Sequence, residues 1–212
     1  MRITKYGHSC LLVEEGEARI LIDPGAFSSG QNSVRGIDAV LITHEHADHL
    51  SPDSVRAVLA NNPGAAIYTN QGAGAVLEKE GIPFSVLGDG QSAEVKGVLV
   101  EGFGVDHACI HESIPIIRNT GYRIAKRLFY GGDALSAAVS AEILALPVAA
   151  PWMKISEALD FAIAMKPKVA FPVHDAILRR ELTGFIGRMA EGVLKPNGIE
   201  FRDMTEGSVE EF

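Results

Sequence analysis

The 212-residue chain contains little cysteine, no excess of basic residues and no long apolar run. Its two cysteines, Cys10 and Cys109, are too few to suggest a disulfide framework, so we expect a protein of the reducing cytoplasm with Cys109 as a small buried apolar residue. The formal net charge of -8 leaves no broad basic surface for a nucleic-acid backbone. Nucleic acid is therefore not expected as a partner.

The apolar runs of the chain are short or interrupted. The first, Cys10 to Val13, stops at Glu14, and the most apolar later stretch, Ala134 to Trp152, contains Glu142 and Pro147. A helix that spans a bilayer needs about 20 consecutive apolar residues. Neither stretch therefore predicts a targeting segment or a membrane helix, and no membrane partner is expected.

The length and the hydrophobic content of 47% predict one domain over residues 1–212. Strand-like apolar runs alternate with helical patterns, which indicates a mixed α and β fold. Ser51-Pro52 predicts a helix start, because serine caps a helix and proline suits its first turn. The expected strands lie in Ile3–Tyr6, Cys10–Val13, Ala18–Ile22, Asp38–Thr43, Val95–Val105, Tyr122–Tyr130 and Lys168–Val173, the expected helices in Ser51–Ala60, Gly72–Lys79, Ser156–Met165 and Arg179–Met189, and a last strand with an acidic tail in Gly198–Phe212.

A histidine-rich segment follows one apolar strand and precedes the helix start at Ser51. It reads Thr43-His44-Glu45-His46-Ala47-Asp48-His49. Three imidazoles and a carboxylate within six residues match the ligand set of divalent cations such as zinc. Residues two apart share a face of an extended segment, so His44 and His46 can bind one ion while Asp48 and His49 face a second. We predict a metal site here, against the alternative of a polar loop that happens to be rich in histidine.

Three further polar residues follow apolar strands. They are Asp133 in Tyr-Gly-Gly-Asp, His174 in Phe-Pro-Val-His, and Asp23 in Leu-Ile-Asp-Pro. Active-site residues of layered α/β folds collect at strand ends. Asp133 could instead be a turn residue after two glycines. Asp23 could open a turn, or it could orient a metal ligand without touching the metal.

The pattern His-x-His-x-Asp-His resembles the signature of the metallo-β-lactamase superfamily, and the resemblance extends over most of the chain. It implies an α+β or α/β fold in the form of a four-layer αββα sandwich, in which two mixed β-sheets pack face to face and helices cover both outer faces. Gly7-His8-Ser9-Cys10 and Asn119-Thr120-Gly121-Tyr122 are similar to segments of the branch of small hydrolases related to bacterial L-ascorbate-6-phosphate lactonase.

The resemblance also implies two divalent metal ions. Zinc fits the ligand types best, and manganese and iron tolerate the same mixture of imidazole and carboxylate. Two ions roughly 3.5 to 4 Å apart can lower the pKa of a water molecule toward neutrality, and Asp48 is expected to orient that water and pass a proton to the leaving group. The implied ligands are His44, His46 and His107 for the first ion, Asp48, His49 and His174 for the second, and Asp133 for both.

The expected activity is hydrolysis of a small-molecule substrate, either a lactone or an ester, phosphorylated or not. The alternative among enzymes is phosphodiester hydrolysis, which the same ions could serve. The alternative outside enzymes is a metal-binding sensor or scaffold without turnover, against which the complete ligand set weighs. The sequence leaves the oligomeric state open, including a homo-oligomer.

The remaining candidates are residues that could line the substrate pocket. His107 and His111 both follow the same strand, and His107 is chosen as the ligand because it lies closer to the strand end, where the backbone is held more firmly. His111 then suits a pocket wall. His8 could line the pocket or be a structural histidine. Trp152 and Lys154 could lie in a pocket loop, or the tryptophan could fill the core while the lysine is solvated.

Overall fold

The computed structural model describes residues 1–135 and 139–212, without the side chains of Arg180 and Thr183. Part of the apolar stretch Ala134 to Trp152 therefore lies outside the described residues. Along the chain the elements are β1 (Arg2–Gly7), β2 (Cys10–Glu15), β3 (Ala18–Ile22), β4 (Ala39–Ile42), α1 (Pro52–Asn61), β5 (Ala66–Thr69), α2 (Gln71–Lys79), β6 (Ser85–Val86), β7 (Ser92–Val95), β8 (Val98–Phe103), β9 (Gly121–Ile124), β10 (Leu128–Tyr130), β11 (Ile143–Pro147), α3 (Ile155–Met165), β12 (Val169–Val173), α4 (Arg180–Leu194), β13 (Glu200–Phe201) and β14 (Val209–Glu211).

The strands form two mixed sheets, each of seven strands within the described ranges. The first has the order β14-β1-β2-β3-β4-β5-β6, and the second has the order β13-β12-β11-β10-β9-β8-β7. In the first sheet β1 to β3 are antiparallel, and β3 to β6 are parallel. The second sheet repeats this plan, with β7 to β10 antiparallel and β10 to β13 parallel. Both sheets thus combine a meander with parallel strands.

The two sheets pack face to face, and helices cover their outer faces. One buried cluster joins Ile22 and Leu41 of the first sheet to Tyr122 and Phe171 of the second. The Tyr122 hydroxyl also donates to the carbonyl oxygen of Ile42 at 3.0 Å, so the sheets are linked by a hydrogen bond as well as by apolar packing. A second cluster packs α1 and α2 against the first sheet, and a third packs α3 and α4 against the second. The expected four-layer αββα sandwich is confirmed.

The C-terminal segment differs from the prediction of one strand with an acidic tail. β13 joins the second sheet beside β12, and β14 returns to pair with β1 of the first sheet. Arg2 faces Glu211 in that pairing, and Nη1 of Arg202 lies 3.8 Å from Oε2 of Glu210. The acidic residues therefore form a strand because a sheet edge and two arginines stabilise them, which local sequence does not reveal.

Two other expectations are corrected by the tertiary structure. The strand pattern predicted in Tyr122–Tyr130 is a hairpin of β9 and β10 with its turn at Ala125-Lys126, and the pattern in Val95–Val105 is β8 preceded by the turn Lys96-Gly97; all four turn residues have positive φ values. Cys109 is exposed, whereas a buried residue was expected. Among the described residues, no helix is both long enough and apolar enough to cross a membrane.

Gly25 holds the loop after β3 against the histidine-rich loop after β4. A Cβ on Gly25 would lie 1.8 Å from the carbonyl oxygen of Asp48, where no atom can fit. The two loops are also joined by hydrogen bonds from Ala26 N to Ala47 O at 2.8 Å and from Ser51 N to Pro24 O at 3.2 Å. The close approach of these backbones requires a residue without a side chain.

We predict that Gly25→Ala lowers the free energy of unfolding by about 1 to 3 kcal/mol, because the two loops must separate to admit a methyl group. Denaturant unfolding followed by circular dichroism measures this change. The matched control is Gly64→Ala, an exposed position with no atom within 4 Å of the added Cβ, where stability should change by less than about 0.5 kcal/mol. Equal stability of the two variants would contradict the described packing.

Candidate metal centre

The histidine-rich loop between β4 and α1 is curled tightly by its own backbone. His49 N and Leu50 N both donate to His46 O, at 2.9 and 2.8 Å. Ser51 then caps α1, with its side chain accepting from Ser54 N at 3.4 Å. The curl brings the rings of His44 and His49 to a centroid distance of 4.0 Å, so residues five apart in sequence lie side by side.

Loops of the second sheet supply the other predicted ligands. His107 follows β8, and its ring lies 4.8 Å from that of His46 between centroids. Asp133 follows β10, and its backbone N–H donates to the side-chain oxygen of Asn119 at 3.0 Å. His174 directly follows β12, at the end of a fully buried strand. The site therefore lies at one edge of the sandwich, where loops of both sheets meet.

These side chains form two neighbouring clusters in which all ligand atoms lie within 4.8 Å of one another. Asp133 lies between them, with one oxygen 3.2 Å from His49 Nε2 and the other 3.3 Å from His107 Nε2 and 3.1 Å from His174 Nε2. The structure thus brings together all seven predicted ligands, and it adds His8. The clusters are His44, His46, His107 and Asp133, and His8, Asp48, His49 and His174.

Backbone carbonyls orient two of the imidazoles from behind. His107 Nδ1 donates to Ala108 O at 2.6 Å, and His174 Nδ1 donates to Ala149 O at 2.6 Å. A hydrogen bond that fixes the proton on Nδ1 directs the Nε2 lone pair of a neutral ring toward the opposite side. In both residues that side faces the clusters.

Asp23 orients one histidine of each cluster. Its fully buried carboxylate accepts from His49 Nδ1 at 2.7 Å, from Thr43 N at 2.8 Å, from Thr43 Oγ1 at 2.7 Å and from the Tyr130 hydroxyl at 2.9 Å. Because the Thr43 hydroxyl donates its proton to Asp23, its oxygen accepts from His44 Nδ1 at 3.0 Å. Of the two alternatives considered for Asp23, the structure places it where it can orient ligands.

The metal-facing atoms of the site are buried without hydrogen-bond partners. Buried polar atoms are normally hydrogen-bonded, so several unpartnered atoms in one place indicate a site that can bind a ligand. Imidazole nitrogens and carboxylate oxygens are the ligand atoms that zinc and similar divalent ions take in proteins. The donor set therefore fits such ions. The unpartnered atoms are Nε2 of His44, His49, His107 and His174, and Oδ1 of Asp133.

The electrostatics of the site keep both carboxylates ionised. Burial would raise the pKa of Asp133, but the surrounding imidazoles, with His49 foremost, hold that pKa well below its usual range. The pKa of Asp48 is also lowered, because the neighbouring imidazoles of His174 and His8 outweigh the effect of burial. A buried carboxylate such as Asp133 with a second, half-buried carboxylate beside it is stable only next to cationic groups, and a bound cation satisfies the same requirement.

The imidazoles of the site differ from one another in pKa. Burial, with repulsion from His49, lowers the pKa of His44 well below its ordinary value, so this ring is neutral. Burial tends to lower the pKa of His174, but the neighbouring carboxylates of Asp133 and Asp48 raise it to about 9. Without a metal ion His174 therefore carries a proton at neutral pH, and a metal must displace that proton to bind there.

His8 occupies the second cluster in a way that the sequence did not reveal. Ala176 N donates to His8 Nδ1 at 3.2 Å, so a neutral ring carries its proton on Nε2. That nitrogen lies 3.0 Å from Asp48 Oδ2 and donates to it. In this arrangement His8 supports Asp48 by a hydrogen bond and offers no free lone pair to a metal.

Strained backbone conformations occur at three residues of the site. His8, Asp23 and His174 have φ values of 47°, 45° and 59°, in the left-handed region that residues with side chains rarely adopt. Each costs on the order of 1 to 3 kcal/mol, which the surrounding contacts must offset. One such contact is the hydrogen bond from His174 N to His8 O at 3.0 Å. Strain at these positions fixes the directions of side chains that face the clusters.

Two supporting residues were missed from the sequence. Asn119 donates to Gly131 O at 2.8 Å while its oxygen holds Asp133 N, so it fixes the turn that presents Asp133. Lys5 is fully buried, and its ammonium group donates to Pro172 O at 2.9 Å and to Asp175 Oδ2 at 2.5 Å, on either side of His174. The burial of Lys5 could have been predicted from the alternation of β1, because Lys5 lies two residues after Ile3 and therefore on the same, buried face of the strand.

Besides His8, three pocket residues were predicted, of which one lies at the site and two lie apart from the clusters. Trp152 Nε1 donates to Asp133 Oδ2 at 2.7 Å. His111 is exposed, and its Nδ1 lies 2.8 Å from the Ser113 hydroxyl, so this nitrogen has its hydrogen-bond partner within the same loop. Lys154 is exposed as well, and its backbone N–H caps α3 by donating to Glu157 Oε2 at 2.7 Å.

Comparison with known proteins agrees with this geometry. A family model described as the β-lactamase superfamily domain matches residues 2–174. Protein Rv0786c of Mycobacterium tuberculosis is 40% identical over 198 residues, covering 90% of this chain and 92% of that protein. The UPF0173 metal-dependent hydrolase MJ1163 of Methanocaldococcus jannaschii is 26% identical over 187 residues, covering 81% of this chain and 83% of its own. The metallo-β-lactamase fold protein YhfI of Bacillus subtilis shares the fold, with a TM-score of 0.74 at 16% identity over 100% of this chain and 99% of its own.

We predict that Asp23→Asn lowers the affinity for divalent metal ions by about 10- to 100-fold, because both His44 and His49 lose their fixed orientation. Asparagine tolerates the left-handed backbone as well as aspartate does, so the substitution removes the charge without adding backbone strain. Titration calorimetry with zinc or manganese measures the affinity. The matched control is Asp38→Asn, a carboxylate whose contacts are Arg19 N and Lys96 Nζ, remote from both clusters. Equal affinities in the two variants would show that Asp23 does not orient the ligands.

Proposed function

Because this chain belongs to the β-lactamase superfamily and is a metal-dependent hydrolase, we propose that its two clusters hold two divalent metal ions that serve the hydrolysis of a small lactone or ester. The observation that carries this proposal is the convergence of four unpartnered imidazole Nε2 atoms on one ionised carboxylate. A sensor or scaffold without turnover would not need a second carboxylate open to solvent beside such a centre, and Asp48 is one.

The residues of the site have two roles, which are binding the metal ions and transferring protons. In this proposal His44, His46 and His107 hold the first ion, His49 and His174 hold the second with Asp48, and Asp133 serves both. The ions, when bound, lower the pKa of a water molecule and stabilise the oxyanion that develops on the substrate. Zinc suits these ligands best, and manganese or iron can replace it.

Asp48 is the carboxylate that a substrate can reach. Its side chain is 19% exposed, whereas that of Asp133 is 4% exposed. The hydrogen bond from His8 holds Asp48 Oδ2, and His174 Nε2 lies 3.4 Å from the same oxygen. Because the pKa of Asp48 is lowered, the group is ionised and can accept a proton from the attacking water and pass it to the leaving group.

A pocket lined in part by His8, the residue that donates to Asp48, lies next to this carboxylate in the proposed site. Its volume is about 390 Å³, which suits a small molecule. The Asp175 carboxylate in its wall accepts a hydrogen bond from the Lys5 ammonium group at 2.5 Å. The narrower resemblance to ascorbate-6-phosphate lactonases stays a prediction.

We expect protein loaded with zinc or manganese to hydrolyse members of a panel of lactones and esters, and Asp48→Asn to lower kcat by about 10²- to 10⁴-fold through loss of the proton acceptor. Steady-state kinetics with metal content measured on each sample checks both statements. Asp53→Asn, a carboxylate on α1 whose side chain is 98% exposed, is the matched control and should keep full kcat. Turnover of phosphodiesters alone, or an Asp48→Asn enzyme within a few-fold of wild type, would contradict the proposal.

A further inference from the structure

A second pocket opens on the opposite side of the centre, beside the first cluster. Its volume is about 230 Å³. Two of its walls are the imidazoles of His46 and His107, and the rest comes from the loop that follows His107. We call it the isoleucine pocket, and it is lined by His46, His107, Ala108, Ile110, Ile114, Pro115, Ile116 and Ile117.

Two apolar side chains of this pocket are about half exposed. Ile114 is 46% exposed and Ile116 is 58% exposed, and both lie within one short loop. Single exposed aliphatic residues are common on protein surfaces, but a contiguous group of them marks a place where an apolar ligand binds. The position beside a metal centre makes a substrate the simplest ligand.

The loop that forms the pocket is held in shape by its backbone. His107 N donates to Ile117 O at 2.9 Å, and an antiparallel bridge pairs Asp106 with Arg118. Within the loop, Ile114 N donates to His111 O at 2.9 Å. The pocket therefore exists before a ligand arrives, so binding an apolar group there requires little ordering of the loop.

We propose that the isoleucine pocket binds the aliphatic or aromatic group attached to the scissile carbonyl of the substrate. This inference rests on the proposed function and narrows its substrate class. A ligand in the pocket contacts His46 and His107, so its end lies next to the centre where the carbonyl must react. A phosphate or sugar would lose its hydration against isoleucine side chains without gaining partners, whereas an acyl chain would not.

The volume of the pocket indicates how large a part of that group it can bury. A volume of about 230 Å³ corresponds to roughly seven or eight water-sized volumes of about 30 Å³ each. An alkyl chain of about six to eight carbons occupies a similar volume. The substrate class is therefore a medium-chain ester, or a lactone that carries an alkyl or phenyl substituent.

The test is a series of p-nitrophenyl esters from acetate to decanoate, hydrolysed by the metal-loaded protein. We expect kcat/KM to rise by about three- to fourfold per methylene up to a chain of six to eight carbons, since each buried methylene is stabilised by removal from water. In Ile114→Ser and Ile116→Ser the ratio of octanoate to acetate kcat/KM should fall at least fivefold. Val193→Ser, a 38% exposed aliphatic residue on α4, is the control and should keep the wild-type ratio.

A binding measurement separates this inference from the proposed reaction. Straight-chain carboxylates from acetate to octanoate are titrated into the metal-loaded protein, and their Kd values are compared between wild type and Ile116→Ser. Tighter binding of octanoate that is lost in the variant supports the pocket, even if no ester is hydrolysed and the reaction class is wrong. Ester turnover and carboxylate binding that are both independent of chain length would overturn the pocket and leave the hydrolase proposal standing.

Discussion

The metal centre depends on the buried carboxylate of Asp23. A charged group with no exposure to solvent is stable only when all of its lone pairs are hydrogen-bonded, and Asp23 accepts from Thr43, His49 and Tyr130. These contacts tie the loop after β3 to the loop after β4, and they reach β10 of the opposite sheet. The same carboxylate directs His49 itself and, through the Thr43 hydroxyl, His44. The Asp23 carboxylate thus orients one histidine in each cluster without the help of a metal ion.

The two-sheet architecture explains why the ligands can meet. The loop after β4 comes from the first sheet, while His107, Asp133 and His174 follow strands of the second. Packing the sheets face to face brings these loops to one edge, where Asp133 lies between the clusters. A mixed polar pocket lies beside His8, and an apolar pocket lies beside His46. In the function that we propose, this asymmetry suits an ester or lactone with one apolar substituent.

Local sequence predicted a mixed α and β fold and a metal site in the histidine-rich segment. Strand periodicity, the helix cap at Ser51 and the spacing of the ligands are all local features. The four-layer arrangement came from the family resemblance. The positions of His8 and Lys5 could not be predicted in this way, since their partners Asp48 and Asp175 lie 40 and 170 residues away in the chain. The strand nature of β14 was missed for the same reason, as it depends on pairing with β1. The positions of such residues and the conformation of such segments are determined by tertiary contacts and not by local secondary-structure propensity.

The measurement that tests the account most directly is anomalous diffraction from crystals grown with zinc or manganese and recorded at the absorption edge of the metal. The account predicts two peaks per chain. One is bound by His46 and by the Nε2 atoms of His44 and His107, the other is bound by Asp48 and by the Nε2 atoms of His49 and His174, and Asp133 lies between them. A single peak, no peak, or a metal bound through the Nδ1 atoms that Asp23 and the backbone carbonyls occupy would contradict it.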